Sequence, residues 1–277
     1  MPQDLLYKLI YALFSGFTEF LGVSAPPHQI LFEFMTGFEQ SDTLLTFAIR
    51  IGVLAAVFFS CRNKIARLMR ERRLAGLSRR RRNRQPDATA LLDIRLLKTA
   101  MIPLLISVLF YKRAGEWING ALPLSLTLLL NGLLLFIPRL MNQGNKDGRS
   151  VSRLDGVLLG LGGALAAIPG FSRTGGIISA GTARGVDRSY ALDMALLLSI
   201  PTLLELLIFD IFGVFTAKLT LSFVAILVYL LMASVAFGGA WLGIMLMRYL
   251  SVKAGFTGFC YYCWGLALFS FILYLMI

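Results

Sequence analysis

The chain has 277 residues, 57% of them hydrophobic and only 15% charged, with a mean hydropathy of +0.74. Soluble domains carry about 25% charged residues, so this composition excludes an ordinary soluble protein and indicates an integral membrane one. The apolar runs have helical length, without the alternation over about ten residues that marks an outer-membrane barrel.

In chain order, apolar runs fall near 5–21, 29–38, 44–60, 97–111, 122–138, 154–168, 176–183, 190–212, 221–247 and 257–276. The start, Met1-Pro2-Gln3-Asp4, has no basic n-region, so no signal peptide is expected. Crossing a bilayer core takes about 20 helical residues. The pairs 5–21 with 29–38 and 154–168 with 176–183 fall short and flank two interruptions. One is Gly16-Phe17-Thr18-Glu19-Phe20-Leu21-Gly22-Val23-Ser24-Ala25-Pro26-Pro27-His28; the other is Ile168-Pro169-Gly170-Phe171-Ser172-Arg173-Thr174-Gly175-Gly176. Broken backbone in a membrane is tolerated only where it is buried in protein or lines a cavity. Each pair therefore reads as a re-entrant helical hairpin. The other six runs read as full spans, with 97–111 borrowing flanking residues.

The net charge of +12 is unevenly spread. Between Cys61 and Thr99 lie Arg62, Lys64, Arg67, Arg70, Arg72, Arg73, Arg79–Arg82, Arg84, Arg95 and Lys98. Beside membrane spans, such a stretch marks the cytoplasmic side and touches anionic lipid rather than nucleic acid. If the first hairpin dips in from outside and the second from inside, Arg139, Lys146, Arg149, Arg153, Arg184, Arg188, Arg248 and Lys253 join that loop on one face. Lys112, Arg113 and Lys218 are the exceptions. The expected fold is thus an all-α integral membrane protein with an inverted-topology repeat. Residues 1–138 and 139–277 would each give one re-entrant hairpin and three spans, with a basic loop at 61–98. Paired breaks in two halves point to a midplane site, here between tips 15–30 and 168–180.

The tips carry the chemistry. Arg173 follows a Pro-Gly turn and opens a glycine-rich helix start, a pattern suited to binding a phosphate or to satisfying carbonyls at a helix break. Ser172, Thr174 and Ser179 could add hydroxyl donors. His28 fits a proton carrier or nucleophile, or an interfacial hydrogen-bonder. Glu19 fits a divalent-cation ligand or an orienting carboxylate, or a structural partner of Arg173. Arg50 lies inside the span 44–60 as a candidate second phosphate contact, with Glu205 as its partner or a relay and Asp210 nearby. Gly160-Leu161-Gly162-Gly163 reads as close helix packing. Cys61, Cys260 and Cys263 read as membrane packing; Cys260-Tyr-Tyr-Cys263 lacks the partner pair of a metal site.

At Gly16-x-Thr18-Glu19-Phe20-Leu21-x-Val23-Ser24-x-x-x-His28 and Pro169-Gly170-Phe171-Ser172-Arg173-x-Gly175-x-x-Ile178-Ser179 the chain resembles the bacitracin-resistance family of undecaprenyl pyrophosphate phosphatases. The resemblance covers nearly the whole length. It implies two re-entrant hairpins and six spans around a pocket open to the extracytoplasmic side of the bacterial inner membrane. The substrate would be an isoprenyl pyrophosphate lipid. Glu19 would help hold a divalent cation, Mg²⁺ or Ca²⁺, and Arg173 would grip the pyrophosphate with Ser172. On the reading of the residues themselves, Thr174, Gly175, Arg50 and Ser179 complete the binding set. Catalysis would fall to Glu19, Ser24, His28 and Arg173. A homodimer is left open.

This chain departs from the family's pattern in several places. Ser15 stands for a glutamate, Ala25 for the second serine of the first motif, Arg50 for a glutamine, Ile177 for a threonine and Asp193 for a glutamate. The pocket gains about two positive charges, and Arg50 could supply neutralisation otherwise supplied by the metal. The rival expectation is a lipid-phosphate binding protein or transporter on the same scaffold, because inverted repeats with paired broken helices also build transporters.

Overall fold

The computed structural model describes residues 2–38, 42–118, 120–142, 144–216, 222–252 and 254–276. Within them the chain runs through α1 (Pro2–Glu19), α2 (Ala25–Thr36), α3 (Thr43–Gly76), α4 (Ala88–Val108), α5 (Tyr111–Trp117) and α6 (Ala121–Leu140). It continues through α7 (Arg153–Ala164), α8 (Arg173–Ala183), α9 (Arg188–Thr216), α10 (Phe223–Val252) and α11 (Gly258–Met276). Side-chain caps open α3, α4, α7 and α8. Asp42 accepts from the amides of Leu44 (3.0 Å) and Leu45 (3.2 Å) to open α3. Asp87 opens α4 through Thr89 (2.9 Å), and a Ser152–Asp155 capping box opens α7.

Among the described residues, five helices are long and apolar enough to cross a membrane: α3, α6, α9, α10 and α11. The expected sixth span at 97–111 is the distal part of α4. That helix begins at Ala88 and carries Asp93, Arg95 and Lys98. Its 21 residues reach about 32 Å at 1.5 Å per residue, so charge rather than length keeps it out of the set. Buried Asp93 is compensated by the Tyr190 hydroxyl, which donates to it at 2.7 Å.

Small residues set the closest helix contacts, as expected where lipid leaves packing to hold helices together. Helix α1 lies along α10, with Gly16 against the backbone of Ala236 and Gly239 and Gly243 against the carbonyls of Leu13 and Phe17. Helix α7 lies along α4 in the same way, with Gly156 against Leu96 and Thr99 and Gly160 against Ala100. In the first pair Lys8 and Tyr229 share Asp42 at one end and Phe17 meets Gly243 further on, and in the second the contacting numbers rise together, so in both the partners run parallel. The Gly160–Gly163 stretch thus packs helices, Gly162 meeting Gly176 of α8 on its other side. Helices α3 and α9 cross the centre, and α6 pairs with α11.

Ion pairs gather at one end. Lys64 and Arg248 both reach Asp193 at 3.1 Å, and Arg184 (2.8 Å) and Lys146 (3.6 Å) reach buried Asp155. The basic linker folds back onto α3, where Glu71, 2% exposed, accepts from Arg84 and from the Asp87 amide at 3.0 Å. Lys218 and Lys253 of the charge analysis lie outside the described residues.

Candidate functional site

Both interruptions form tight turns that end in a serine capping the next helix, and the two serines differ in a way the sequence dictates. An N-cap hydroxyl normally accepts from the amide two or three residues on. Ser172 does so, accepting from Gly175 at 3.1 Å, and donates its own proton to the Leu21 carbonyl at 2.7 Å. Ser24 caps α2, but the positions that would donate to it are Pro26 and Pro27, which have no N–H. It makes no cap hydrogen bond, and its hydroxyl is left to the cavity it lines.

The turns are stitched together by Asn131 of α6, fully buried. Its side chain accepts from the Ser172 amide at 3.1 Å and donates to the Gly22 carbonyl at 3.4 Å and the Cys263 sulfur at 3.2 Å. Gly170, at φ 107°, presses on the Thr127 side chain, a close approach and a backbone region that favour glycine. Neither Asn131 nor Thr127 was singled out by sequence, since a lone polar residue in an apolar run carries no motif.

A cavity of about 120 Å³ lies between the tips. Glu19, Ser24, Ala25, Ser172 and Arg173 reach it from the breaks, and Arg50 reaches it from α3. Glu19, at the last turn of α1, pairs with Arg173 at 3.4 Å. Arg50 forms an ion pair with Asp210 and donates to the Leu206 carbonyl at 3.3 Å, both on α9. The expected pairing of Arg50 with Glu205 is therefore corrected to Asp210. Position 205 lies one turn too early, and its buried Oε2 has no hydrogen-bond partner among the described residues. Ser15 also lines the cavity and accepts from Gln29 at 2.8 Å.

The other expected residues lie outside this lining. His28 is held by the Ser24 carbonyl at Nδ1 (2.7 Å) and by Tyr262 of α11 at Nε2 (2.8 Å), its ring stacked on that tyrosine. A carbonyl only accepts, so Nδ1 carries a proton, and in the neutral ring Nε2 accepts from Tyr262. Thr174 and Ser179 are buried in α8, Ser179 with its hydroxyl unpartnered among the described residues. The Gly175 amide is used by Ser172. Ile177 is core, and Asp193 sits among the basic residues at the far end of α3.

Membrane-length apolar helices around a charged cavity, closed by two helix breaks, define an all-α, multi-pass integral membrane protein with an intramembrane polar site. The family model described as Bacitracin resistance protein BacA matches residues 8–269, and the chain belongs to that family. It is similar to the protein named undecaprenyl-diphosphatase from Methanobrevibacter smithii, 30% identical over 268 residues and 95% of each chain. It is also similar to undecaprenyl-diphosphatase 1 of Shouchella clausii, 28% identical over 98% of this chain and 96% of that one. Undecaprenyl-diphosphatase 2 of Stutzerimonas stutzeri is 33% identical over 72% of this chain and 73% of its own.

Proposed function

We propose that this chain hydrolyses an isoprenyl pyrophosphate, undecaprenyl pyrophosphate being the expected substrate, to the lipid monophosphate and inorganic phosphate. The names of its relatives support the substrate class. The observation that carries the chemistry is the Ser24 hydroxyl, freed by Pro26 and Pro27 and lining the same cavity as the Glu19–Arg173 pair and Arg50. A pyrophosphate entering the cavity competes with Glu19 for Arg173, because a guanidinium fork binds phosphate bidentately. Glu19 is then free to take the Ser24 proton. Ser24 Oγ attacks the terminal phosphorus, the bond to the bridging oxygen breaks, and the electron pair leaves with the lipid monophosphate. Water then cleaves the phosphoserine, releasing phosphate and restoring the hydroxyl. Arg50 neutralises the second phosphate, and His28, bonded to the Ser24 carbonyl, positions the turn.

Among the described residues no three His, Cys, Asp or Glu side chains form a ready ion site. A Mg²⁺ or Ca²⁺ ion would be held by the substrate's phosphate oxygens and by one oxygen of Glu19, the one carboxylate of the described cavity lining, leaving its other oxygen for the Ser24 proton. When bound, it would supply neutralisation of the pyrophosphate charge.

The layout of α3 supports the orientation. Thr46, Ile49, Arg50 and Val53 line the cavity, whereas Lys64 and the basic linker lie beyond. Arg50 and Lys64 are about 21 Å apart along the helix at 1.5 Å per residue. With the basic end cytoplasmic, the cavity belongs to the extracytoplasmic half of an inner-membrane protein. The matched packing of α1 on α10 and of α7 on α4 supports the inverted repeat of 1–138 and 139–277.

The test is phosphate release from undecaprenyl pyrophosphate by purified protein in Mg²⁺, in Ca²⁺ and in chelator. Turnover that is lost in Ser24→Ala and Glu19→Gln and only reduced in Arg50→Gln is expected. Full turnover by Ser24→Ala would refute the nucleophile. No turnover by the native chain, with saturable binding of the lipid, would favour the carrier or transporter reading.

A further inference from the structure

A second cavity, about 240 Å³, opens between the N-terminal halves of α4 and α7, lined by Arg95, Thr99 and Arg153 with Leu92, Leu96 and Val151. Its charge is uncompensated. Other cations of the basic end, Arg67, Arg84, Arg184, Lys146 and Arg248, each meet a carboxylate. Neither Arg95 nor Arg153 has a partner among the described residues. The nearest acids along the chain are already taken, Asp93 by the Tyr190 hydroxyl and Asp155 by Ser152, Arg184 and Lys146.

Beyond the arginines the surface turns apolar on both helices. On α4, Arg95, Thr99, Ile102 and Ile106 follow one another at i, i+4, i+7 and i+11, and both isoleucines are exposed. On α7, Leu154, Val157 and Leu161 make a similar exposed stripe at i, i+3 and i+7. Because α4 and α7 run parallel, the two cationic ends lie together and the two stripes run side by side away from them. Two guanidiniums at the basic end and an apolar track leading into the membrane match the two ends of a phospholipid.

We propose that this groove binds one anionic phospholipid, its headgroup phosphate between Arg95 and Arg153 and its acyl chains along Ile102, Ile106, Val157 and Leu161. Two guanidiniums favour a phosphate with no cation attached over the zwitterionic choline headgroup, whose quaternary ammonium they repel, and basic residues at the cytoplasmic interface attract anionic lipid. The inference is independent of the pyrophosphate chemistry, since none of these residues lines the central cavity.

The test is native mass spectrometry of the purified protein titrated with phosphatidylglycerol, with phosphatidylcholine and with soluble glycerol phosphate. Phosphatidylglycerol affinity is expected to fall about fivefold in Arg95→Gln and about 25-fold when Arg153→Gln is added. Arg72→Gln with Arg73→Gln, which removes two exposed charges elsewhere, is expected to cost less than about twofold. Thr99→Trp, which fills the groove without changing charge, is expected to weaken binding as well. A native-like thermal melt of each variant reports that it remains folded. Equal losses in the control pair would mean diffuse surface attraction and overturn the proposal. So would normal binding by Thr99→Trp, or glycerol phosphate binding as tightly as the lipid.

Discussion

Replacing Pro27 by alanine restores the amide that Ser24 lacks, and the consequences can be worked from the two breaks of this one structure. At the second break the equivalent amide, that of Gly175, donates to Ser172 at 3.1 Å. In Pro27→Ala the new N–H stands three residues after Ser24 and should donate to it in the same way. A cap of this kind is worth about 1 kcal/mol, whereas losing the proline's restraint on the unfolded chain costs about 0.4–1 kcal/mol. The variant should therefore melt at or slightly above the native temperature, instead of below it as an uncompensated Pro→Ala change would. The cap bond must yield before Ser24 can attack. At about 1.4 kcal/mol per tenfold in rate, a bond of about 1 kcal/mol lowers kcat roughly fivefold. Phosphate release under saturating lipid pyrophosphate, with a thermal melt of the same preparation, reads both effects. A melting temperature lowered by the full proline cost, with kcat unchanged, would refute the reasoning that the prolines hold Ser24 free.

Asn131→Ala orphans the buried Ser172 amide, a loss of about 1–3 kcal/mol, and should lower both the melting temperature and turnover; a native melt would show that the stitch between turns is unimportant. Gly160→Val pushes a side chain into the Ala100 backbone and should destabilise by about 1–3 kcal/mol by overpacking, with an unshifted melt ruling out the close α4–α7 contact. In the linker, the hydrogen bond from Arg67 at 2.5 Å holds the Asp87 carboxyl below its ordinary value. Because the folded value is depressed, this stabilisation is present above the ordinary carboxylate range and is lost as pH falls through the folded value. Hydrogen exchange across residues 80–87 should show protection at about pH 5 that fades below about pH 4. Arg67→Gln should be less protected already at about pH 5, and equal protection in the variant would sink the linkage.

What the sequence made legible was local. Pro-Gly-Phe-Ser-Arg announces a turn followed by a capped helix, and the structure places Ser172 at that cap. Likewise, Pro26 and Pro27 announce the start of α2, because proline is at home in a first helical turn. The missed features join residues far apart in the chain. Asn131 looks like one polar residue in a leucine run, and only the fold brings it to Gly22, Ser172 and Cys263. Tyr262 lies inside Cys260-Tyr-Tyr-Cys263, where the cysteine spacing carries no sign of a histidine partner, yet it is the group that engages His28. Both acids on α9 lie within reach of Arg50 by sequence, and the pitch of the α3–α9 contact selects Asp210 over Glu205.

The pairing of charges in the cavity suggests why an extra arginine is tolerated there. An isolated charge among apolar helices is costly, and removing one partner of a buried pair leaves that cost exposed. At rest each arginine has its own acid, Glu19 for Arg173 and Asp210 for Arg50, so the pairs cancel in charge. On the proposed reading, a pyrophosphate presents one phosphate group to each guanidinium, replacing a carboxylate with an oxyanion of at least equal charge. A monophosphate can replace only one of the two at a time, and the other arginine stays with its acid. The cavity would thus hold the substrate by both cations and the product by one, which favours release of the lipid monophosphate once the terminal phosphate has gone.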